Sequence, residues 1–333
     1  MRRTVKEETG EMIKSSEYKH RSSSDELELA VLRIEPEDPA DVKGILQLVH
    51  GMSEHKERYA EFMRYMAKRG YICVIHDNRG HGCSIKDTED LGYMYAGGYE
   101  ALIGDIREIT VETKEYAGKL CPDRSLPYTL LGHSMGSLAV RCYIRKYDAD
   151  IDRLCVLGCP SRLGGMSLGL AAAEALSVLR GDRARSSLMD SIIFGAVDIK
   201  RFDNEGIENA WLCSDRKVAE AYNEDPLCGF RFTLNGYINL IRLSMLTYKS
   251  DGFAMNNPDL PIRFFSGSED VFGISRRDIA KAMRLLRKAG YTNVRGRIYP
   301  GMRHEILNET KRKNVYKDIY KFIDGGEDQW QDM

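Results

Sequence analysis

The chain is short of the features that mark several protein classes. It has almost no charge excess: 49 basic against 50 acidic residues leave a formal net charge of −1. That removes the electrostatic case for nucleic-acid binding. No uncharged apolar run reaches the length that spans a bilayer. The first twenty residues are polar and charged, so no secretory leader is expected. No C-x-x-C pair occurs among the eight cysteines, and Cys155 and Cys159 stand four apart with no histidine nearby. Zinc-ribbon and disulfide frameworks are therefore disfavoured. Free thiols in a reducing, cytoplasmic compartment account better for cysteines inside apolar runs, such as Cys73 and Cys155. Glycine-rich nucleotide fingerprints of the G-x-G-x-x-G and G-x-x-x-x-G-K kinds are missing, as are internal repeats and low-complexity tracts.

What is present is a pattern of short apolar runs alternating with helical periodicity. Strands are expected at 27–34, 44–50, 71–76, 128–131, 153–157, 261–265 and 294–299. Helices are expected at 59–69, 99–120, 137–147 and 313–323. The alternation predicts an α/β fold with a mostly parallel central sheet covered by helices on both faces. Residues 1–25 read as a polar arm or an early edge strand. The rhythm breaks from 161 to 249, where helical patterns and a strongly apolar run from Leu163 to Leu179 indicate a helical cap inserted between two strands. The core is then 26–160 with 250–325.

The stretch Gly132-His133-Ser134-Met135-Gly136 lies between an expected strand and an expected helix. In that context G-x-S-x-G describes a sharp turn with the serine at its apex. A serine needs a base, and a histidine is the usual one. Of seven histidines, His304 follows the last expected strand, where a loop can carry an imidazole to the same sheet edge as Ser134. The base needs an acid. Asp270, just past the strand at 261–265, is preferred, and Glu269 beside it is the competitor. The order Ser134, Asp270, His304 is that of an α/β-hydrolase triad. Donors for an oxyanion are expected from the amides of Met135 and Met52, with Gly51 permitting the turn after the strand at 44–50. Gly51, His133, Phe272, Met166 and Leu170 are candidate substrate contacts. The cluster His76-Asp77-Asn78-Arg79-Gly80-His81-Gly82 lacks helical metal-ligand spacing and reads as a structural loop.

Five segments carry a family resemblance: 49–55 (Val-His-Gly-Met-Ser-Glu-His), 77–82, 132–136, 267–270 and 301–305. In this order they resemble the α/β-hydrolase branch of monoacylglycerol lipases and lysophospholipases, also grouped with serine aminopeptidase-like hydrolases. The likeness runs from about residue 26 to 323. It implies a cofactor-independent serine esterase with no metal, acting on a small-molecule or lipid ester. It carries over Ser134 as nucleophile, Asp270 as acid, His304 as base, and Met52 and Met135 as oxyanion donors. Residues 223–227 resemble a segment near the end of the family's cap. Two departures stand out: Val271-Phe272 where many relatives have proline, and Cys83 where a basic residue is common.

Met166, Leu168, Leu170, Leu176, Val178 and Leu179 would give the cap an apolar surface fit for an acyl chain or for transient contact with a membrane surface. Packing on the body is the competing account. Two rival functions stay open. An aminopeptidase would need a carboxylate for the substrate's amine, for which Glu205, Glu208 and Glu224 are candidates. A non-catalytic receptor would have no physical need for all three triad residues.

Overall fold

A computed structural model describes residues 2–6, 12–162, 164–195, 197–272 and 276–326. Leu163, where the expected apolar run begins, lies outside them. The strands are β1 (Arg2–Lys6), β2 (Met12–Arg21), β3 (Glu28–Pro36), β4 (Gly44–Val49), β5 (Tyr71–His76), β6 (Tyr128–His133), β7 (Arg153–Leu157), β8 (Ile262–Gly267) and β9 (Val294–Tyr299). They form a single sheet in the order β1-β2-β3-β5-β4-β6-β7-β8-β9. From β5 through β9 every neighbour is parallel. β1, β2 and β3 join antiparallel at one edge. The amino-terminal segment thus supplies edge strands, the second of the two forms its sequence allowed.

The helices are α1 (Ala60–Ala67), α2 (Gly98–Leu120), α3 (Met135–Tyr147), α4 (Met166–Arg180), α5 (Ser187–Phe194), α6 (Arg216–Glu224), α7 (Leu234–Thr247), α8 (Arg276–Ala289) and α9 (Arg312–Ile323). Side chains alternate across the parallel strands, because successive Cβ atoms of a strand point to opposite faces. On one face Ile45, Val49, Leu130, Leu154 and Val156 pack with α2, α3, α7 and α8. On the other, Leu46, Leu48, Leu131, Cys155 and Leu157 pack with α1 and α9. Burial on both faces is why these strands read as continuous apolar runs rather than as alternating ones.

Between β7 and β8 the chain runs through α4 to α7 with no strand among the described residues beyond the single bridge Arg185–Thr233. The last of these helices is built into the body: Leu234, Tyr237, Ile241 and Leu243 are buried in the core shared with α3. Leu176 packs against the same core, whereas Leu168, Val178 and Leu179 are 79%, 88% and 80% exposed. No described helix is long and apolar enough to cross a membrane. The described cysteines are all free, and only Cys83 is exposed.

Candidate active site

The sheet's carboxyl edge gathers the candidate residues. Ser134 lies between β6 and α3 with φ 52° and ψ −118°. A non-glycine residue at positive φ is uncommon and costs local strain. The surrounding glycines make the turn possible by close approach. A Cβ on Gly132 would lie 2.4 Å from the Gly136 carbonyl oxygen, and one on Gly136 would lie 2.2 Å from that of Val49. The Ser134 amide donates to the Leu157 carbonyl at 3.0 Å, and the Ser134 carbonyl accepts from Ser137 Oγ at 2.6 Å. These bonds hold the strained turn.

His304 and Asp270 meet from two strand-end loops. The imidazole Nδ1–H donates to Asp270 Oδ1 at 2.9 Å, and both residues are buried. Asp270 Oδ1 also accepts from the Phe272 amide at 2.9 Å. Glu269, the competing acid, turns away to pair with Arg201 at the surface. Ser134 and His304 line one cavity of about 960 Å³. Among the described residues no hydrogen bond joins Ser134 Oγ to the imidazole. Such contacts are often long without substrate and tighten in the complex.

Gly51, Met52 and Met135 line the same cavity. Neither the Met52 nor the Met135 amide donates a hydrogen bond among the described residues, so two donors remain available beside Ser134. A Cβ on Gly51 would lie 2.7 Å from Glu54 Oε1 and 3.1 Å from Ser134 Cβ, so this glycine serves close packing against the serine. Behind it, His50 is buried and neutral. Its Nδ1–H donates to the Gly51 carbonyl at 2.8 Å, its Nε2 accepts from the Asn78 amide at 2.8 Å, and burial pushes its pKa down to about 4.

Beneath these loops runs a buried charged network that the sequence reading did not single out. Glu54 Oε1 accepts from the Gly51 amide at 2.5 Å and from Tyr59 Oη at 2.8 Å. Arg58 reaches Glu54 at 2.7 Å and grips Glu305 with two bonds of 2.6 Å. One guanidinium therefore joins the loop of Gly51 and Met52 to the loop of His304. Burial alone would raise the Glu54 carboxyl, but the His133 hydrogen bond and the Arg58 charge outweigh it and hold it well below the usual range. Glu305 is likewise held down against its burial by Arg58.

His133 belongs to this network. Its Nδ1 faces Glu54 Oε1 at 3.2 Å and Tyr59 Oη at 3.1 Å, and its Nε2 faces the His304 carbonyl at 3.3 Å. Burial would lower its pKa, but Glu54 outweighs that and raises it. Both nitrogens are engaged within the protein, so its imidazole supports the neighbouring loops rather than offering a free nitrogen to a substrate. Phe272 packs on the His304 ring at 5.0 Å, and Trp211 packs on both, 5.6 Å from His304 and 5.1 Å from Phe272. Trp211 thus roofs the imidazole. Met166 lines the cavity, but Leu170, one helical turn on, does not and packs against the core. The loop at 76–82 is a structural hub, as its sequence suggested: Arg79 bonds Asp105 and Asp25, and Asp77 accepts from the Lys56 and Cys83 amides.

Residues 40–311 match the family model described as "Serine aminopeptidase, S33". The chain belongs to this family. The matched span runs from just before β4 to the start of α9, so it takes in the parallel core, the inserted segment and the residues that line the cavity. Among its relatives, a monoacylglycerol lipase of Mycolicibacterium smegmatis is 23% identical over 286 residues, 85% of this chain and 89% of that protein. The human monoglyceride lipase is 30% identical over 193 residues, 56% of this chain and 52% of that protein. A thermostable carboxyl esterase from Bacillus coagulans, solved with glycerol, superposes with a TM-score of 0.82 at 24% identity, covering 93% of this chain and 98% of that one. The α/β-hydrolase fold expected from the sequence is the fold observed.

Proposed function

We propose that this family member is a carboxylic ester hydrolase of the monoacylglycerol lipase or lysophospholipase type, with Ser134 as nucleophile, His304 as base and Asp270 as acid. One observation carries the proposal: a serine at positive φ shares a cavity with an imidazole whose Nδ1–H is held by a buried carboxylate. With Nδ1 so engaged, Nε2 is the nitrogen left to accept the Ser134 proton. Ser134 Oγ attacks the ester carbonyl carbon, and the carbonyl electron pair moves to oxygen. The Met52 and Met135 amides stabilise that oxyanion. When the tetrahedral species collapses, the ester C–O bond breaks and His304 gives its proton to the departing alcohol. Water, deprotonated by His304, repeats the sequence on the acyl-enzyme to release the carboxylic acid and restore Ser134.

The walls support an acyl substrate. Leu138, Met166, Ile193, Val197, Leu240 and Ile241 give the cavity a long apolar side. They favour a fatty acyl ester over a small polar one. Relatives named monoacylglycerol lipase support the same class. The amide-hydrolase alternative has weaker support. Glu205 is paired with Arg303, and Glu208 and Glu224 do not line the cavity. Of the carboxylates that do, Glu54 and Glu305 are neutralised by Arg58, and Asp190 is engaged by Arg231 and Tyr237. Asp198 is the remaining carboxylate on the cavity wall for a substrate amine.

Of the inserted residues 161–249, those before α7 act, in this proposal, as the cap over a core of 26–160 and 250–325, into which α7 is built. The exposed Leu168, Val178 and Leu179 on α4 would give it transient contact with a lipid surface. Free cysteines support a reducing, cytoplasmic setting.

The test is labelling with a fluorophosphonate probe, wild type beside Ser134→Ala, followed by turnover of monoacylglycerols, lysophospholipids and aminoacyl amides. Labelling lost in the variant, with monoacylglycerol turnover by wild type, is the expected result. No labelling of folded wild type would overturn the mechanism. Turnover of amides alone would move the proposal to the peptidase side.

A further inference from the structure

Among the described residues, one cluster of metal-ligating side chains has no part in the chemistry above. His55 lies on the loop that follows Met52, and Asp225 and Cys228 occupy the turn after α6 in the inserted segment. One imidazole nitrogen, one carboxylate oxygen and the Cys228 thiol lie within 4.8 Å of one another. His55 and Cys228 are buried and Asp225 is half-buried, which gives the cluster a shielded interior and one side open to solvent.

We propose that His55, Asp225 and Cys228 form a binding site for one zinc-class divalent cation, which ties the inserted segment to the loop carrying Met52.

The donor set selects the ion. Sulfur, imidazole nitrogen and a single carboxylate suit borderline-soft zinc and its neighbours, whereas magnesium and calcium demand oxygen cages. Three protein ligands leave a fourth tetrahedral position for water. Metal–ligand distances of about 2.0–2.3 Å put tetrahedral donors roughly 3.3–3.7 Å apart. The His55 Nε2–Asp225 Oδ2 separation of 2.8 Å has to open slightly, and the other spacings, all within 4.8 Å, have to close by about 1 Å at most.

Each ligand is already oriented. His55 Nδ1 is held by Glu57 Oε2 at 2.5 Å, the carboxylate–histidine arrangement that commits the other nitrogen to a metal. Asp225 Oδ1 accepts from the Leu227 amide at 2.8 Å, which turns Oδ2 toward His55. The Cys228 amide donates to the Asp225 carbonyl at 2.9 Å, closing a turn that brings the thiol beside the carboxylate. On binding, the thiol proton and the proton shared between Nε2 and Oδ2 leave to solvent.

The position gives such an ion a consequence. The turn and the loop already meet through the Gly229 amide on the Ser53 carbonyl (2.9 Å), Tyr222 Oη on the same carbonyl (3.0 Å) and Ser53 Oγ on the Phe230 carbonyl (2.7 Å). Ser53 adjoins Met52, so the ion would reinforce the joint next to an oxyanion donor. The proposal does not depend on the role of Ser134.

Chelator-treated full-length protein titrated with Co²⁺, then displaced with Zn²⁺, tests it. The expected result is one ion per chain with a thiolate-to-cobalt charge-transfer absorption, and a higher Tm with zinc. Cys228→Ser should abolish the absorption and weaken zinc binding at least tenfold while folding and ester turnover are retained. Asp225→Asn should also weaken binding, and serves if the cysteine variant proves unstable. Cys83→Ser, which removes the exposed thiol, should change nothing. No stoichiometric ion in wild type, binding that survives Cys228→Ser and Asp225→Asn, or binding lost with Cys83→Ser would each overturn the proposal.

Discussion

Removing the Arg58 guanidinium, as Arg58→Met, should destabilise the protein strongly, and more at neutral pH than in acid. Arg58 is the shared partner of two buried carboxylates, Glu54 and Glu305. Methionine keeps much of the stem's volume but strips Glu305 of its cation and leaves Glu54 with His133 alone. Breaking a buried pair by deleting one partner costs about 3–5 kcal/mol. That is a large part of the roughly 5–15 kcal/mol by which a domain is stable. At about 1.4 kcal/mol per decade, the folding equilibrium shifts by roughly two to four orders of magnitude. The pH dependence has a definite sign. In wild type both carboxyls are held below their ordinary values, so their contribution is present above the unfolded pKa of about 4.3 and is lost as pH falls through the lower folded values. In the variant Glu54 keeps its His133 hydrogen bond, but Glu305 loses the partner that offset its burial, so the Glu305 folded value rises and the deficit grows as pH rises through it. Urea denaturation from pH 5 to pH 8 should show the gap to wild type widening with pH. Arg58→Met/Glu305→Gln should recover part of the loss, because it removes the stranded charge. A neutral-pH loss below about 1 kcal/mol, or a gap that does not change with pH, would refute the reasoning, since exposed pairs behave that way.

Three further substitutions separate roles within the site. Asp270→Asn should lower kcat about 10³–10⁴-fold at neutral pH, because the imidazole loses the partner that fixes its tautomer, whereas Glu269→Gln should change it less than about threefold. Steady-state ester kinetics decide the matter, and the reverse pattern would assign the acid to Glu269. Trp211→Ala, which uncovers the His304 ring, should lower kcat/KM by about 2–10-fold, the worth of one aromatic contact, with the fold intact by circular dichroism. An unchanged value would mean that the indole only fills space.

The parts of this molecule legible in its sequence are those set by local pattern. β4, β6 and β7 announce themselves as apolar runs because both of their faces are covered. Ser134 is legible because glycines at 132 and 136 are required within a five-residue turn. α8 escaped notice although it lies between two strands that were recognised, because its charged residues obscure the apolar stripe of Ile279, Met283 and Leu286 that faces the sheet. In α4 the apolar residues expected together at the substrate divide: Met166 lines the cavity, Leu170 packs on the core, and Val178 and Leu179 are exposed.

The charged network shows where local reading stops. The spacing of Glu54 and Arg58, four residues apart, is a local signal that was available. Nothing local connects Arg58 to Glu305, 247 residues away. That connection explains a feature of the motifs themselves. The segment at 49–55 and the segment at 301–305 each contain a glutamate next to the groups proposed for chemistry, and Arg58 engages both glutamates. Each is an anchor. Glu54 holds the Gly51 amide, and Glu305 follows His304 directly, so one arginine sets the loop of Gly51 and the loop of His304 in register with each other. Hydrogen-bond catalysis depends on distances good to a few tenths of an ångström. Two loops from opposite ends of the chain meet that tolerance more readily when they share a buried cation than when each is positioned alone.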